Sequence, residues 1–235
     1  MSRFAINANK AAKQLSSSTL DYTKASLIYY QQGDNDSTVA KKAAITIKAA
    51  NASTESDAKE MSEYLTAVWN SYKVGSESLE SFADVMAALG AKTATSMEEI
   101  AAAMEKVASV GNSVGVEFTQ LSSIFATVSS VTRQSAESIG TAYKTIFARI
   151  ADLKLGKTDE DGIGLGAVSS QLDAMGFKIL DENQNLRDMG TVIEEIGTKW
   201  QTMNKASQTA LAQAIAGKRQ YTQLVALFDN WDKYQ

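Results

Sequence analysis

The stretch IGTAYKTIFARIADL, residues 139–153, carries the most regular hydrophobic pattern of the chain. Its apolar side chains recur at the three- to four-residue spacing of one α-helical face. They are Ile139, Tyr143, Ile146, Phe147, Ile150 and Leu153. Lys144 and Arg149 fall outside this stripe. An aromatic stripe at this spacing is usually core, although a partner-facing surface has the same pattern. We therefore predict a helix that buries the stripe.

The same spacing recurs in other parts of the chain. Further helical faces are predicted at Met61-Leu65-Val68-Trp69-Tyr72, at Met189-Ile193-Ile196-Trp200-Met203 and at Tyr221-Leu224-Val225-Phe228-Trp231. Near the N-terminus, an apolar side is predicted at Leu20, Ala25, Leu27 and Ile28. The aromatic members of these faces are the candidates for packing or partner contact: Trp69, Tyr72, Tyr143, Phe147, Trp200, Tyr221, Phe228 and Trp231.

The composition favours a chain that is helical almost throughout. It has 235 residues, 44% of them hydrophobic, and no proline. Average usage would give roughly 12 prolines in a chain of this length. Because proline disrupts helix interiors and central strands, its absence suits long uninterrupted helices. We predict an all-α fold of amphipathic helical hairpins.

The middle of the chain shows a periodicity of about 40 residues. Candidate helix N-caps lie at Ser53 or Thr54, Ser78, Ser96, Glu117 and Ser135. The apolar residues of 79–89 match those of 118–128 at an offset of 39. This offset predicts repeated helical hairpins, in which each pair buries its face against its neighbours. A string of unrelated amphipathic helices is the alternative.

Three regions are expected along the chain. N-terminal helices occupy residues 1–52, and helical-hairpin repeats occupy residues 53–155. Residues 156–235 hold a Gly-rich loop, a small β-hairpin near 177–188 and the C-terminal helices.

Few residues suit catalysis or metal binding. The chain has no cysteine and no histidine, which removes the commonest nucleophiles, general bases and zinc ligands. Asp181, Asn183 and Asn185 have the spacing that starts a calcium loop, but the required Gly and Glu do not follow. The acids Asp159, Glu160 and Asp161 are expected to be solvated. We predict no catalytic residue, metal site or cofactor.

Gly217 and Lys218 raise the question of a phosphate-binding loop. The P-loop pattern requires a glycine five residues earlier and Ser or Thr after the lysine. Ala212 and Arg219 occupy those positions, so Gly217 is better explained as a helix break or a close packing point. The net charge of −4 also argues against a sequence-specific nucleic-acid binder.

Six segments in this order resemble the conserved core region of phage tail tape measure proteins. They are KASLIYYQQG (24–33), SEYLTAVWNSYKV (62–74), EKVASVGNSVGVE (105–117), SSVTRQSAESIGTAYKTIFARIADL (129–153), GFKILDENQNLRDMGTVIEEIGTKW (176–200) and QTALAQAIAGKRQYTQLVALFDNWD (208–232). The resemblance extends from about residue 19 to the end. One departure is Gln184, where the family usually has glycine.

The resemblance implies a structural component of the virion tail, assembled in the host cytoplasm. Such a protein fills the tail tube, scaffolds tube polymerisation, sets tail length and leaves during DNA ejection. The implied partners are the tail tube protein, distal tail or baseplate hub proteins, tail assembly chaperones, further copies of the chain in the lumen, and the host membrane during ejection. Since family members are much longer, the chain is expected to be a fragment.

Two other functions are kept as alternatives. A helical scaffold for another complex would have a similar composition but no affinity for tail components. A cell-wall hydrolase would need carboxylates such as Glu194 or Asp161 for acid–base chemistry. Residues 1–20 lack the apolar core of a signal peptide, so no secretion is expected by that route.

Overall fold

A computed structural model describes residues 3–53, 57–72, 78–154, 158, 162 and 164–235. These residues form helices α1 to α12, so the all-α prediction is confirmed. The helices are α1 (Arg3–Gln14), α2 (Thr19–Gln31), α3 (Asp36–Ala52), α4 (Ala58–Tyr72), α5 (Leu79–Lys92), α6 (Met97–Ser113), α7 (Phe118–Thr132), α8 (Ala136–Lys154), α9 (Leu165–Ala174), α10 (Met189–Trp200), α11 (Lys205–Asp229) and α12 (Trp231–Tyr234). The acidic triplet 159–161 lies outside the described residues.

The chain divides into two compact units, Met1–Glu105 and Lys106–Gln235. In the first, α2 packs on α1, α3 and α4, and α5 packs on α3 and α4. Part of its core is rich in alanine, which lets helices approach closely. That cluster comprises Ala8, Ala12, Tyr22, Ala25, Ala43, Ile47 and Ala58.

The second unit is organised around α11. This helix contacts α7, α8, α9 and α10, while α12 packs on α7. The stripe of α8 from Ile139 to Ile150 is buried, and the side chain of Leu153 lies outside the described residues. Leu211, Leu224 and Leu227 of α11 complete the core on the facing side.

The helix starts follow the predicted spacing. The first residues of α4 and α6 lie 39 positions apart, as do those of α5 and α7. Ser78, Ser96, Glu117 and Ser135 immediately precede their helices, as the cap pattern predicts. Glu117 also donates its backbone N–H to the side-chain oxygen of Gln120 at 3.0 Å.

The predicted start of α4 is wrong. Ser53 ends α3 instead, and Thr54 lies outside the described residues. The helix begins at Ala58, after Asp57, whose carboxylate accepts two backbone N–H groups of the first turn at 2.8 and 2.9 Å. An aspartate cap is as favourable as serine, so the helix starts where two donors can be satisfied together.

The predicted apolar side of α2 is correct at Ala25, which is buried, and wrong at Leu20 and Leu27. Leu20 and Leu27 are 63% and 55% exposed, while the buried face is formed by Tyr22, Ala25, Ser26 and Tyr29. Leu20 and Leu27 are seven residues apart and share one side of the helix, which lies opposite the side of Tyr22 and Tyr29. Apolar residues occur all around α2, so the periodicity alone did not identify the inner face.

The predicted β-hairpin is reduced to one antiparallel bridge between Leu180 and Leu186. The flanking backbone bonds are Asp181 N–H to the Asn185 carbonyl and Arg187 N–H to the Ile179 carbonyl, both at 2.9 Å. Two-stranded ribbons are marginal without a third strand, which explains why the pairing stops there.

Candidate functional site

Seven of the eight aromatic residues singled out from the sequence lie in three places, and Tyr221 lies apart from them. In the first unit, Trp69 is half-buried and packs edge-to-face on Phe82 with ring centroids 6.2 Å apart, and Tyr72 is buried. Lys42 Nζ lies 5.0 Å from the Trp69 ring and 2.7 Å from Asp34. The periodicity gave no signal for this lysine, because a cation on a helix is normally solvated.

The second place is the interior of the C-terminal unit. Tyr143 lies 5.7 Å from Phe125 and 5.9 Å from Phe147, measured between ring centroids. The Tyr143 hydroxyl donates to the carbonyl of Gln223 at 3.1 Å. Burial raises the pKa of Tyr143 far above its ordinary value. Together these contacts make Tyr143 and Phe147 interior packing residues.

The third place is a run of aromatic rings near the C-terminus. Successive ring centroids are 4.9, 6.0 and 4.3 Å apart along Trp200, Phe228, Trp231 and Tyr234. The Trp200 indole N–H donates to Asp229 at 2.6 Å. Trp231, by contrast, has a buried Nε1 with no hydrogen-bond partner among the described residues. Tyr221 is half-buried on α11 and is not part of this run.

The helix break expected at Gly217 is present. Gly217 has φ 73° and ψ 168° within α11, a conformation available almost only to glycine. Arg149 donates to the freed carbonyls of Ala214 and Ile215 at 2.6 and 2.7 Å. A guanidinium suits this role because its donors form a rigid fork. The segment Gly217-Lys218-Arg219 therefore contains a kink between two packed helices.

In the turn at 181–185, the carboxylate of Asp181 accepts hydrogen bonds from the backbone of the turn itself. Asp181 Oδ1 accepts the backbone N–H groups of Asn183 and Asn185, both at 2.8 Å. Those bonds lower the pKa of Asp181. Gln184 has φ 62°, a left-handed conformation that glycine adopts more easily than any other residue.

A cavity of about 410 Å³ lies beside the end of the aromatic run, and we call it the C-terminal groove. Its lining residues come from α7, α10, α12 and the residue after α12: Thr119, Gln120, Ser123, Glu194, Thr198, Trp231, Tyr234 and Gln235. The sequence patterns did not predict this site. Its walls are far apart in the chain, and most of its residues are ordinary polar side chains.

Two glycines of α10 allow side chains of α7 and α12 to pack closely against α10. A Cβ at Gly190 would collide with Gln120 Oε1, and one at Gly197 would collide with the ring of Trp231. Gly190 and Gly197 are seven residues apart and therefore share one face of the helix. The pair is the one sequence feature that could have indicated close packing here.

Electrostatics in the groove depend on Glu194. Gln120 Nε2 donates to Glu194 Oε1 at 2.7 Å, which joins α7 to α10. Burial, and to a smaller extent the negative charge of Glu194, raise the pKa of Tyr234. Glu194 is the only acidic side chain among the described lining residues. The described lining therefore lacks the second, opposed carboxylate that glycoside hydrolysis uses.

In the described part of the chain, no group of three or more Asp, Glu, His or Cys side chains is arranged to hold a metal ion. None of the described helices combines the length and apolar character needed to span a bilayer.

Comparison with known proteins identifies a family but no structural relative. No solved structure matches the chain. The family model described as phage-related minor tail protein matches residues 9–217, which is most of the chain. The protein therefore belongs to the phage-related minor tail protein family and is a structural component of the phage tail.

Proposed function

We propose that the chain is the conserved core segment of a tape measure protein. In this role it occupies the tail tube lumen, scaffolds polymerisation of the tube and contributes to tail length. It leaves the tube when the DNA is ejected. The observation that carries the proposal is the ordered set of six tape-measure-like segments, which span residues 24–232 of a minor tail protein.

The helical build supports a role in measuring length. A ruler needs a fixed axial rise per residue, and an α-helix supplies about 1.5 Å. The helix pairs begin 39 residues apart, so one extended pair would span roughly 60 Å. The absence of proline from the sequence removes the residue that most often interrupts such helices.

The proposal also names the molecules that the chain contacts. They are the tail tube protein, distal tail or baseplate hub proteins, the assembly chaperones and other copies of the chain in the lumen. Passage out of the tube would bring the chain to the host membrane. The net charge of −4 gives no support to sequence-specific nucleic-acid binding.

The test is tail length in the phage that encodes the chain. Residues 78–116 would be deleted in frame, and tails would be measured by electron microscopy. We expect tails shorter by up to about 60 Å, the span of about 40 helical residues. The matched control replaces the same residues with an equal number of unrelated helix-forming residues, and its tails should keep their normal length.

Comparison of the two variants shows whether tail length depends on the number of residues in this segment or on their sequence. Normal tails from the deletion would refute the ruler role of this segment. If both variants lack tails, the segment is required to start assembly, and the ruler role fails for residues 78–116. Shortened tails from the control as well would show that sequence rather than length matters.

A further inference from the structure

The C-terminal groove has the shape and chemistry of a binding site that the tail role does not explain. Its volume of about 410 Å³ lies in the range of small-ligand pockets and exceeds what a single side chain fills. One wall is the aromatic pair Trp231 and Tyr234, stacked with 22° between their planes. The opposite walls are polar side chains of α7 and α10.

The charge of the groove selects a cationic ligand. Glu194 is exposed, and its Oε1 accepts one hydrogen bond from Gln120. The described lining contains no lysine or arginine. An anion would meet this carboxylate without any compensating cation. A cation would gain both the carboxylate and the electron-rich face of an aromatic ring.

The remaining lining atoms favour arginine over lysine. The hydroxyl oxygens of Thr119, Ser123 and Thr198 add acceptors around Glu194. A guanidinium carries five N–H donors in one plane and stacks on aromatic rings, whereas an ammonium is a compact point charge. A planar, multiply donating group therefore matches this lining best.

We propose that the C-terminal groove binds an arginine side chain of another polypeptide, with its guanidinium against Glu194 and the ring of Tyr234. The stem of the arginine would follow the groove wall, and the flanking peptide would occupy the rest of the volume. Gly197 then matters more to the site than Gly190, because a larger residue at 197 would displace the rigid ring of Trp231, whereas one at 190 would displace the flexible side chain of Gln120. This assignment is independent of whether the chain measures tail length.

The test uses the full chain labelled with ¹⁵N and follows the tryptophan indole signals. The chain has 3 tryptophans, and Trp231→Phe identifies the groove signal by its loss. The probe is N-acetyl-arginine amide, whose only charge is the guanidinium. We expect a saturable shift of the Trp231 signal, with half-saturation on the order of 10 mM for one ion pair plus one cation–π contact. Trp200, whose indole N–H is bonded to Asp229, serves as the internal reference.

A comparison ligand and the variants show whether binding depends on the charged guanidinium group. N-acetyl-citrulline amide has nearly the same shape without the charge and should bind at least five-fold more weakly. Glu194→Gln should weaken arginine binding about five-fold, the upper range for an exposed ion pair. Tyr234→Ala should weaken it about two- to five-fold. Glu182→Gln, an exposed acid on the 181–185 turn, is the matched control and should leave binding unchanged.

Three results would overturn the assignment. The first is equal shifts with citrulline and arginine, which would make the groove a site for neutral ligands. The second is unchanged arginine affinity in Glu194→Gln while its spectrum shows an intact fold. The absence of any saturable shift in the native chain would likewise reject arginine as the occupant.

Discussion

Replacement of Gly217 by alanine should destabilise the protein by about 1–3 kcal/mol, the cost of placing an L-residue in the φ 73°, ψ 168° conformation. The surrounding space adds little to that cost. A new Cβ would lie 3.5 Å from Arg149 Nε and 3.7 Å from Arg149 Cδ, which is ordinary van der Waals contact. The penalty is therefore one of backbone conformation.

If α11 were a continuous helix at Gly217, the stability change on replacing Gly217 by alanine would have the opposite sign. In a regular helix interior, glycine is about 1 kcal/mol less favourable than alanine, so the same change would be stabilising. Equilibrium urea unfolding, followed by tryptophan fluorescence and far-ultraviolet circular dichroism, distinguishes a kinked helix from a continuous one. A loss of about 2 kcal/mol lowers the midpoint by about 1 M if the urea dependence is about 2 kcal/mol per M.

The matched control is Gly166→Ala in α9. Gly166 is exposed and helical, and a Cβ there would have no atom within 4 Å. This variant should be neutral or more stable by up to about 1 kcal/mol. If Gly217→Ala stabilised the protein as Gly166→Ala does, the kink and its recognition by Arg149 would be refuted.

Four further substitutions test other parts of the structure by the same unfolding assay. Leu27→Ala should change stability by less than about 0.5 kcal/mol because Leu27 is exposed, whereas Leu65→Ala in the core should cost about 2–5 kcal/mol; equal losses would contradict the orientation of α2. Gln184→Gly should stabilise by about 0.5–1 kcal/mol because it relieves the left-handed strain at φ 62°, and a loss of stability would show that the turn is not left-handed there. Gly197→Ala should reduce the stability by about 1–3 kcal/mol and alter the fluorescence of Trp231, because the new methyl group collides with the Trp231 ring. If neither the stability nor the fluorescence changed, the close packing of α10 on α12 would be contradicted.

The helices were predictable wherever one face is clearly apolar. The α8 stripe from Ile139 to Ile150 needed only the spacing of its side chains. In α2, apolar residues occur on both sides, and Tyr22 and Tyr29 pair a large apolar ring with a polar hydroxyl. The Tyr29 hydroxyl lies 2.7 Å from Thr46 Oγ1, and burial raises the pKa of Tyr29 to about 12. Packing rather than periodicity decided which side turned inward.

The groove and the buried lysine could not be predicted, because both depend on contacts distant in sequence. Gln120 and Glu194 are 74 residues apart, and no local pattern pairs them. Lys42 lies near two rings and one acid drawn from three separate segments. The kink at Gly217 was predictable as a break, but its recognition by Arg149 required the three-dimensional structure.

The most direct measurement is tail length as a function of the number of copies of residues 78–116. Phages carrying zero, one or two copies would be compared in electron micrographs. We expect length to rise with each copy by up to about 60 Å, in proportion to the added helical residues. Tails of one length in all three phages would contradict a measuring role for this segment.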